Sequence, residues 1–577
     1  LSEPPIRAEL FSLERLEQHA ASLAAAQIVS PQAKGKRTLA IRAADNARIL
    51  RKCYDNMAKA NLQRRSITPA AEWLLDNFRV IEDQFKEIRN GLQAPPYRAL
   101  PQLSEGPLRG YPRIFGVIWA FVAHTDSRFD AALLQCFLRA YQQVEPLTIG
   151  ELWAIPLTFR CVMVENLRRV SVHVSNSQIT RLQADKFADE LLTLDHQSPE
   201  KVDAVLHRLI NSPLAPAFTV QLIQRLRYQD ISLHWLNEEL ARQGQSSEMV
   251  VQLEHASQAA ANMTVRNIVT SMRDMVAFDW QSFFEQVSLV EECLRRNTGY
   301  SEMDFTTRDR YRHAVETLAG GSRHTELEIA NAVVAKANCS LSPNPQADDR
   351  RCDPGYYLIS KGRRSFEREI GYHASWGERF LRAYISRTAA AYVITILLVS
   401  ALLLALPLWI SAKAGVGEVG LLLLGLSGFF QASQIAILLT DKVLARLVTS
   451  RHLARLELAQ GVPAGLRTFV VVPTMLTTKA EITAHIEQLE VHYLANSSGQ
   501  VHFALLSDWT DSDTEYREED IGLLDLAIEK IAALNTRYGP LSNAEPRFFI
   551  FHRKRLWNEA QHKWISWERK RGKLHEF

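Results

Sequence analysis

The order of apolar and polar positions changes character twice along the chain. Up to about Gly377, apolar residues recur every three or four positions, as in "LFSLERLEQHAASLAAA", "AAEWLLDNFRVIEDQFKEI", "FDAALLQCFLRAYQQV", "PLTIGELWAIPLTFRCVMVENLRRV" and "PEKVDAVLHRLINS". That spacing lays one stripe of each segment against a core and predicts helices. Strand-like alternation is nearly absent. The breaks are short and rich in proline and glycine: "QAPPYRALP", "SEGPLRGYPR", "NSPLAP" and "SLSPNPQADDRRCDPG". Residues 1–377 are therefore expected to form a large all-α region, with room for two subdomains meeting near residue 200.

The second pattern has no polar face. Ala389–Ile410 and Val419–Leu439 are charge-free and each long enough to span a bilayer. The loop between them, "SAKAGVGE", holds one lysine. Arg379, Arg382 and Arg387 precede the pair, and Lys442, Arg446, Arg451 and Arg455 follow it. Residues 378–450 thus read as a transmembrane helical hairpin with both flanks in the cytoplasm and the short loop outside. Pro407 falls near the end of the first span, where a kink costs little. Gln431, Ser433 and Gln434 in the second are expected to face protein rather than lipid, which implies further membrane helices outside this chain.

From residue 451 to 577 the grammar is strand–helix–strand. "RTFVVVPTML" (Arg467–Leu476), "VHFALLSDWTDSD" (Val501–Asp513) and "RFFIFHRKR" (Arg547–Arg555) are β-branched or aromatic runs. They alternate with the helical patterns "EITAHIEQLEVHYLAN" and "EDIGLLDLAIEKIAALNTRYG". Such alternation implies a parallel, doubly wound sheet whose ligands bind at the carboxyl ends of the strands. Those ends carry Pro473 and Thr474, then Asp508, then a basic cluster after Phe551. A nucleotide-sugar site needs a loop for the base, a carboxylate near base and ribose, and cations for the diphosphate. Pro473–Thr474 can supply the first, Asp508 the second, and "RKRGK" the third through Arg569, Lys570 and Lys573, with Gly572 letting backbone approach a phosphate. The Asp-x-Asp in "TDSD" (Thr510–Asp513) is read as a solvated turn rather than a metal site. Trp557, Trp564, Trp567 and Phe577 suit sugar stacking, though core packing is the commoner use of such rings.

The totals narrow the field. At 577 residues the chain should hold three or four domains, and a net charge of +3 gives no basic footprint for nucleic acid. The six cysteines, Cys53, Cys136, Cys161, Cys293, Cys339 and Cys352, show no metal-like spacing and read as reduced thiols. The opening "LSEPPIRAEL" has no apolar core, so no signal peptide is expected. The start at Leu1 and the charged, aromatic last segment suggest a piece of a longer protein. In 1–377 the one suggestive cluster is His124 with Asp126; Asp304, Arg308, Asp309 and Arg310 read as helix-surface ion pairs. A non-catalytic membrane-anchored helical module therefore stays open for that region.

Longer motifs go further. "FFIFHRKRLWNEAQHKWISWERKRGKLHEF", "RTFVVVPTMLTT", "VHFALLSDWTDSD", "GYPRIFGVIWAFVAHTD", "EPLTIGELWAIPLTFRCVMVENLRR", "MDFTTRDRYRHAVE" and "GYYLISKGRR" resemble the cyclic β-1,2-glucan synthase family, from about residue 80 to Phe577. The resemblance implies a multi-pass protein of the bacterial inner membrane, with the helical region and the transferase domain in the cytoplasm. It implies a processive, inverting glycosyltransferase that takes UDP-glucose, assisted by a divalent metal (Mg or Mn) whose ligands are not in this chain. The growing β-1,2-glucan and a C-terminal phosphorylase-like region would be its partners. Residues 451–577 would be the truncated start of a GT-A-like domain. Pro473 and Thr474 match the loop that receives uracil and Asp508 the acid of the second strand. Either Lys570 or Lys573 matches the lysine at the diphosphate. The metal motif, the general base and the acceptor-gripping motif are expected beyond Phe577, so this piece alone is not expected to complete the transfer. The sheet start by itself would also suit a cellulose-synthase-like transferase of another β-glucan.

Overall fold

In the computed structural model, residues 3–30, 38–63, 67–94, 97, 99–195, 213–227, 234–339, 350–447, 453–458, 460–496, 498–541 and 544–577 are described. They fall into two compact units, Leu1–Ser301 with Arg308–Arg451, and Glu302–Thr307 with His452–Phe577. The helix expected from "PEKVDAVLHRLINS" and the joint near residue 200 lie outside the described residues.

The first unit is helical, as its periodicity predicts. Its axis is the 41-residue helix Ile155–Asp195, packed by Leu39–Leu62, Arg113–His124, Pro216–Leu226 and Ser247–Ala277. Val162, Met163, Val164, Leu167 and Val170 of its first half are all buried. A helix buried all round has no polar stripe to show. Other helices of the unit start where side chains cap them: Asp130 accepts from Ala132 N and Leu133 N, and Thr148 and Glu151 form a reciprocal capping box. Past residue 180 a second core gathers Ala184, Ala188, Leu191, Leu222, Leu236, Leu240 and Val250.

Charges inside this unit are buried in matched sets. Glu165, on the central helix, accepts from Arg42 Nε (3.0 Å) and Nη2 (2.9 Å), Asn46 Nδ2 (2.6 Å), Arg168 Nη2 (2.9 Å) and Arg169 Nε (2.9 Å). Burial alone would raise its pKa, but the Arg42 hydrogen bonds and charge, with Asn46 and Arg168, outweigh burial and hold it well below the usual carboxylate range. Glu291, fully buried, accepts from Arg312 Nη1 (2.7 Å), Arg295 Nε (2.7 Å) and Tyr300 Oη (2.6 Å). Arg308 is buried too and donates to Glu285 (3.0 and 3.1 Å). This corrects the surface reading for Arg308 among the "DFTTRDRYRH" charges. Of that set Asp309 does make an i,i+3 pair, with Arg312 at 3.3 Å, while Asp304 accepts from Thr307 N (2.9 Å). Cys53, Cys136, Cys161, Cys293 and Cys352 are free thiols; the Cys339 side chain lies outside the described residues.

The apolar runs are two helices, Thr388–Lys413 and Glu418–Leu447, with mean hydropathy 2.7 and 1.8 over their best windows. Only 6% and 11% of those windows are buried, whereas the core helix of a water-soluble protein would be mostly covered. They pack through a small-residue stripe: Gly428, whose missing Cβ leaves room for Leu404, then Ala432, Ala436 and Thr440, four residues apart. Tyr392 Oη donates to Asp441 Oδ1 (2.9 Å) at the base of the pair. Because that stripe faces the first helix, Gln431 and Gln434 turn outward and are exposed, and Ser433 Oγ donates to Phe430 O (2.9 Å). Within this hairpin, Gln431 and Gln434 are therefore left on the side away from the first helix.

The second unit carries three parallel strands, β1 (Thr468–Leu476), β2 (Val501–Trp509) and β3 (Phe548–Arg553), in the order β1-β2-β3. Pro473, which cannot donate to a ladder, is tolerated because β1 is an outer strand of this sheet. Every residue of the central β2 is buried. Helices Lys479–Ala495 and Glu518–Tyr538 share one core with Phe503, Leu505 and Phe548, so both lie on the same face. Among the described residues, the parallel strands of the doubly wound expectation are present and no reversal of strand order occurs. The other face is covered by the short helix Arg569–Glu576 and by Phe577 against Phe469 and Phe551. A two-stranded ribbon absent from the sequence reading, β4 (Leu556–Asn558) with β5 (Lys563–Ile565), pairs Trp557 with Trp564.

Replacing Glu291 by Leu should strand Arg312 as a buried charge and cost the helical unit about 3–5 kcal/mol, read by chemical denaturation. Replacing the more exposed Arg295 by Ala should cost about 1 kcal/mol or less.

Candidate functional site

Parallel register decides what meets at the sheet's carboxyl edge. Met475 of β1 lies opposite Asp508 of β2, and Asp508 lies opposite Arg553 of β3. Side chains alternate between faces along a strand, so Asp508 leaves the sheet on the side away from the Phe503 and Leu505 core. There it is fully buried. Its Oδ1 accepts from Lys573 Nζ at 2.8 Å and its Oδ2 from Arg553 Nη2 at 2.9 Å. Lys573 Nζ also donates to the Thr474 carbonyl, which uses two of the three N–H groups of the ammonium. One carboxylate thus ties the ends of three strands to the last helix.

The last helix is built to bring Lys573 inward. Glu568 begins it in a left-handed conformation (φ 40°), and Gly572 is packed so closely that a Cβ would come within 2.4 Å of Trp567 O and 2.6 Å of Arg553 Nη1. Gly572 therefore makes room for Trp567 and the Arg553 guanidinium, not for a phosphate as its place in "RKRGK" had suggested. Glu576 Oε1 accepts from Trp567 Nε1 (2.6 Å) and Arg553 Nη1 (3.1 Å), pinning the far end.

Beside this cluster is a cavity of about 340 Å³ lined by Leu506, Ser507, Phe551, His552, Arg553, Lys573, Glu576 and Phe577. Two polar atoms of its lining residues, His552 Nε2 and Arg553 Nε, are buried without a hydrogen-bond partner among the described residues. Leaving such an atom unmatched costs about 1–3 kcal/mol. Burial lowers the His552 pKa to about 4 against the pull of Asp508, so the imidazole is neutral near pH 7. Its Nδ1 lies 2.9 Å from Ser507 Oγ, which can donate its proton to Phe551 O (3.4 Å). In that arrangement Nδ1 carries the hydrogen and Nε2 is an acceptor.

The residues singled out in the sequence separate here. Thr474, Asp508 and Lys573 come together, and Pro473 lies next to Thr474 on β1. Lys570 is exposed, and Arg569 is an exposed partner of Asp511 (3.1 Å). Between Lys570 and Lys573, only Lys573 reaches Asp508. Arg553 and His552 were missed as site residues; their position in the basic cluster hinted at them, but only the β2–β3 register shows their partners. The "TDSD" acids do not fit a metal site: Asp511 is paired with Arg569 and Asp513 faces Lys563 at 3.9 Å. Ser512 is not a solvated turn residue but is buried and bridged to Trp564. No group of three or more His, Cys, Asp or Glu side chains suited to a metal occurs among the described residues. His124 and Asp126 have separate structural partners: His124 Nδ1 is 2.8 Å from Glu9 O and its ring stacks on Phe11, while Asp126 Oδ1 accepts from Thr264 Oγ1 (2.7 Å).

The His552 shift has a stability consequence with a definite sign. Between its ordinary value of 6.5 and about 4, the unfolded chain binds a proton that the folded chain does not. Folding stability should therefore fall as pH drops through this window, by up to about 1.4 kcal/mol per pH unit from this group. His552→Asn, which keeps a donor toward Ser507, should flatten that slope; denaturation of both proteins between pH 7.5 and 4 measures it.

No family model matches the chain. A cyclic beta-(1,2)-glucan synthase, NdvB, from Rhizobium meliloti (strain 1021) is 34% identical over 583 aligned residues, covering 99% of this chain. The chain spans 20% of the length of that relative. Over nearly its whole length this chain is therefore similar to a fifth of a cyclic β-1,2-glucan synthase, the resemblance its motifs indicate.

Proposed function

We propose that residues 451–577 begin the donor-binding domain of a membrane-bound, processive, inverting glucosyltransferase that builds cyclic β-1,2-glucan from UDP-glucose. The observation that carries this reading is the Asp508 cluster: two cations held by one buried carboxylate beside a cavity that Arg553 and Lys573 line, at the edge of a parallel sheet where ligands of such sheets bind. The similarity to a cyclic beta-(1,2)-glucan synthase supports the same reading.

In this reading Lys573 and Arg553 meet the diphosphate, and Asp508 is the positioning residue that holds both in place. The Pro473–Thr474 end of β1 receives the base. The 2-hydroxyl of the growing glucan attacks the anomeric carbon. The bond to UDP breaks on the opposite face with inversion, and the hydroxyl proton goes to a general base that is not assigned among residues 1–577. Cations placed where the leaving diphosphate gathers charge act only if they are already oriented, and the buried carboxylate provides that orientation. The divalent metal proposed for the complete protein finds no fitting ligand set among the described residues here, and no step is drawn through it.

The two apolar helices would cross the bacterial inner membrane, with arginine- and lysine-rich flanks placing the helical region and the α/β domain in the cytoplasm. The glucan and a C-terminal phosphorylase-like region of the same polypeptide would be the partners of the complete protein.

The test is label transfer from UDP-glucose in membranes that lack their own glucan synthase and express the complete protein. Lys573→Ala and Asp508→Asn should each lower incorporation about 100-fold or more, with membrane insertion unchanged. Lys570→Ala should stay near the parent level. Product in another linkage, or full activity in the Lys573 and Asp508 variants, would overturn the proposal.

A further inference from the structure

The helix Trp376–Ser386 is opened by Ser375, whose hydroxyl accepts from Glu378 N, and it has no buried residue. Its two sides differ. At 100° per residue, Trp376, Phe380, Ala383 and Tyr384 fall on one side, and Glu378 and Arg382 on the other. The second side is committed: Arg382 makes a bidentate pair with the buried Glu367 (2.6 and 2.6 Å), and Tyr372 Oη donates to Glu378 (2.7 Å). The first side is open, with Trp376 86% and Phe380 73% exposed. These are the two large rings that a water-soluble surface would most need to cover.

The place of this face in the chain says what covers it. One residue, Arg387, separates the helix from the apolar helix Thr388–Lys413. Tyr384 Oη lies 3.1 Å from Thr395 Oγ1, two turns into that helix, so the chain bends at Arg387 and the short helix lies against the base of the span. Arg379 packs over the Trp376 ring at 5.8 Å, and the exposed Arg387 closes the helix at the foot of the span. Tryptophan and arginine side by side at the foot of an apolar span match the chemistry of the headgroup layer, where rings sit at the acyl boundary and guanidinium groups meet phosphates.

We infer that Trp376–Ser386 is an interfacial helix: it seats Trp376 and Phe380 in the headgroup region of the bilayer, with Arg379 and Arg387 on anionic lipid phosphates. Through the Arg382–Glu367 clamp it sets how the helical unit stands on the membrane. This rests on the proposed crossing of the membrane by the hairpin.

The test uses the full chain in nanodiscs of phosphatidylcholine with phosphatidylglycerol, carrying Phe380→p-benzoylphenylalanine. The same substitution at Leu402, on the first apolar helix, reads the hairpin, and at the exposed Lys361 reads background. Irradiation followed by mass spectrometry should find lipid adducts at 380 and 402, several-fold above 361. The yield at 380 should fall several-fold in phosphatidylcholine alone. Lipid adducts at 402 with none at 380, or with protein adducts at 380, would overturn the inference and leave the hairpin standing. No lipid adduct at 402 would overturn both. An equal yield at 380 in the two lipid compositions would overturn the phosphate contacts.

Discussion

The α/β unit is organised around a single buried carboxylate. Asp508 has no exposure to water and is shared by Lys573 and Arg553, which arrive from the last helix and from β3. A charge in that position is tolerable only if it is matched on every side, because desolvation of each ion costs several kcal/mol. The match fixes more than a pair. Lys573 also holds the Thr474 carbonyl, Arg553 also holds Glu576 and the Trp567 carbonyl, and Gly572 leaves the space that Trp567 and the Arg553 guanidinium occupy. The geometry of the strand ends, the last helix and the adjoining cavity all follow from keeping that carboxylate satisfied.

The same rule recurs in the helical unit on a larger scale. Glu165 and Glu291 each gather several donors inside a core that is otherwise apolar. Such sets are poor sources of net stability, but they are unforgiving of misalignment, since each partner is buried with its counter-charge. They give a bundle of long helices a definite register, which the apolar stripes alone would leave loosely specified.

At the apolar hairpin the constraint is reversed. Its outer surface is apolar and open, and its inner contact is a stripe of small residues that brings the two backbones close. The short helix before it is tied to the helical unit on one side by ion pairs and left aromatic on the other. A folded helical unit, a short helix with one aromatic face and an apolar hairpin are thus joined within about a dozen residues.

Much of this was legible in the residues. Helical spacing up to Gly377, two charge-free runs, and strand–helix alternation after residue 451 each reflect burial that a local pattern records directly. The strand ends also pointed to Thr474 and Asp508, because parallel sheets present that edge. What the sequence could not settle were relations between distant segments. Lys570 and Lys573 are equivalent as letters; they differ by one turn of helix, about 4.5 Å along the axis, and only one of them reaches Asp508. Arg553 and His552 acquire partners only through the β2–β3 register. Arg308 reads as a surface charge until Glu285 is folded against it, and the outward turn of Gln431 and Gln434 follows from which stripe of that helix its neighbour takes. Local periodicity depends on where each residue sits relative to water, so the sequence alone determined the elements. Partner choice depends on register and packing between elements, so only the tertiary structure decided the site.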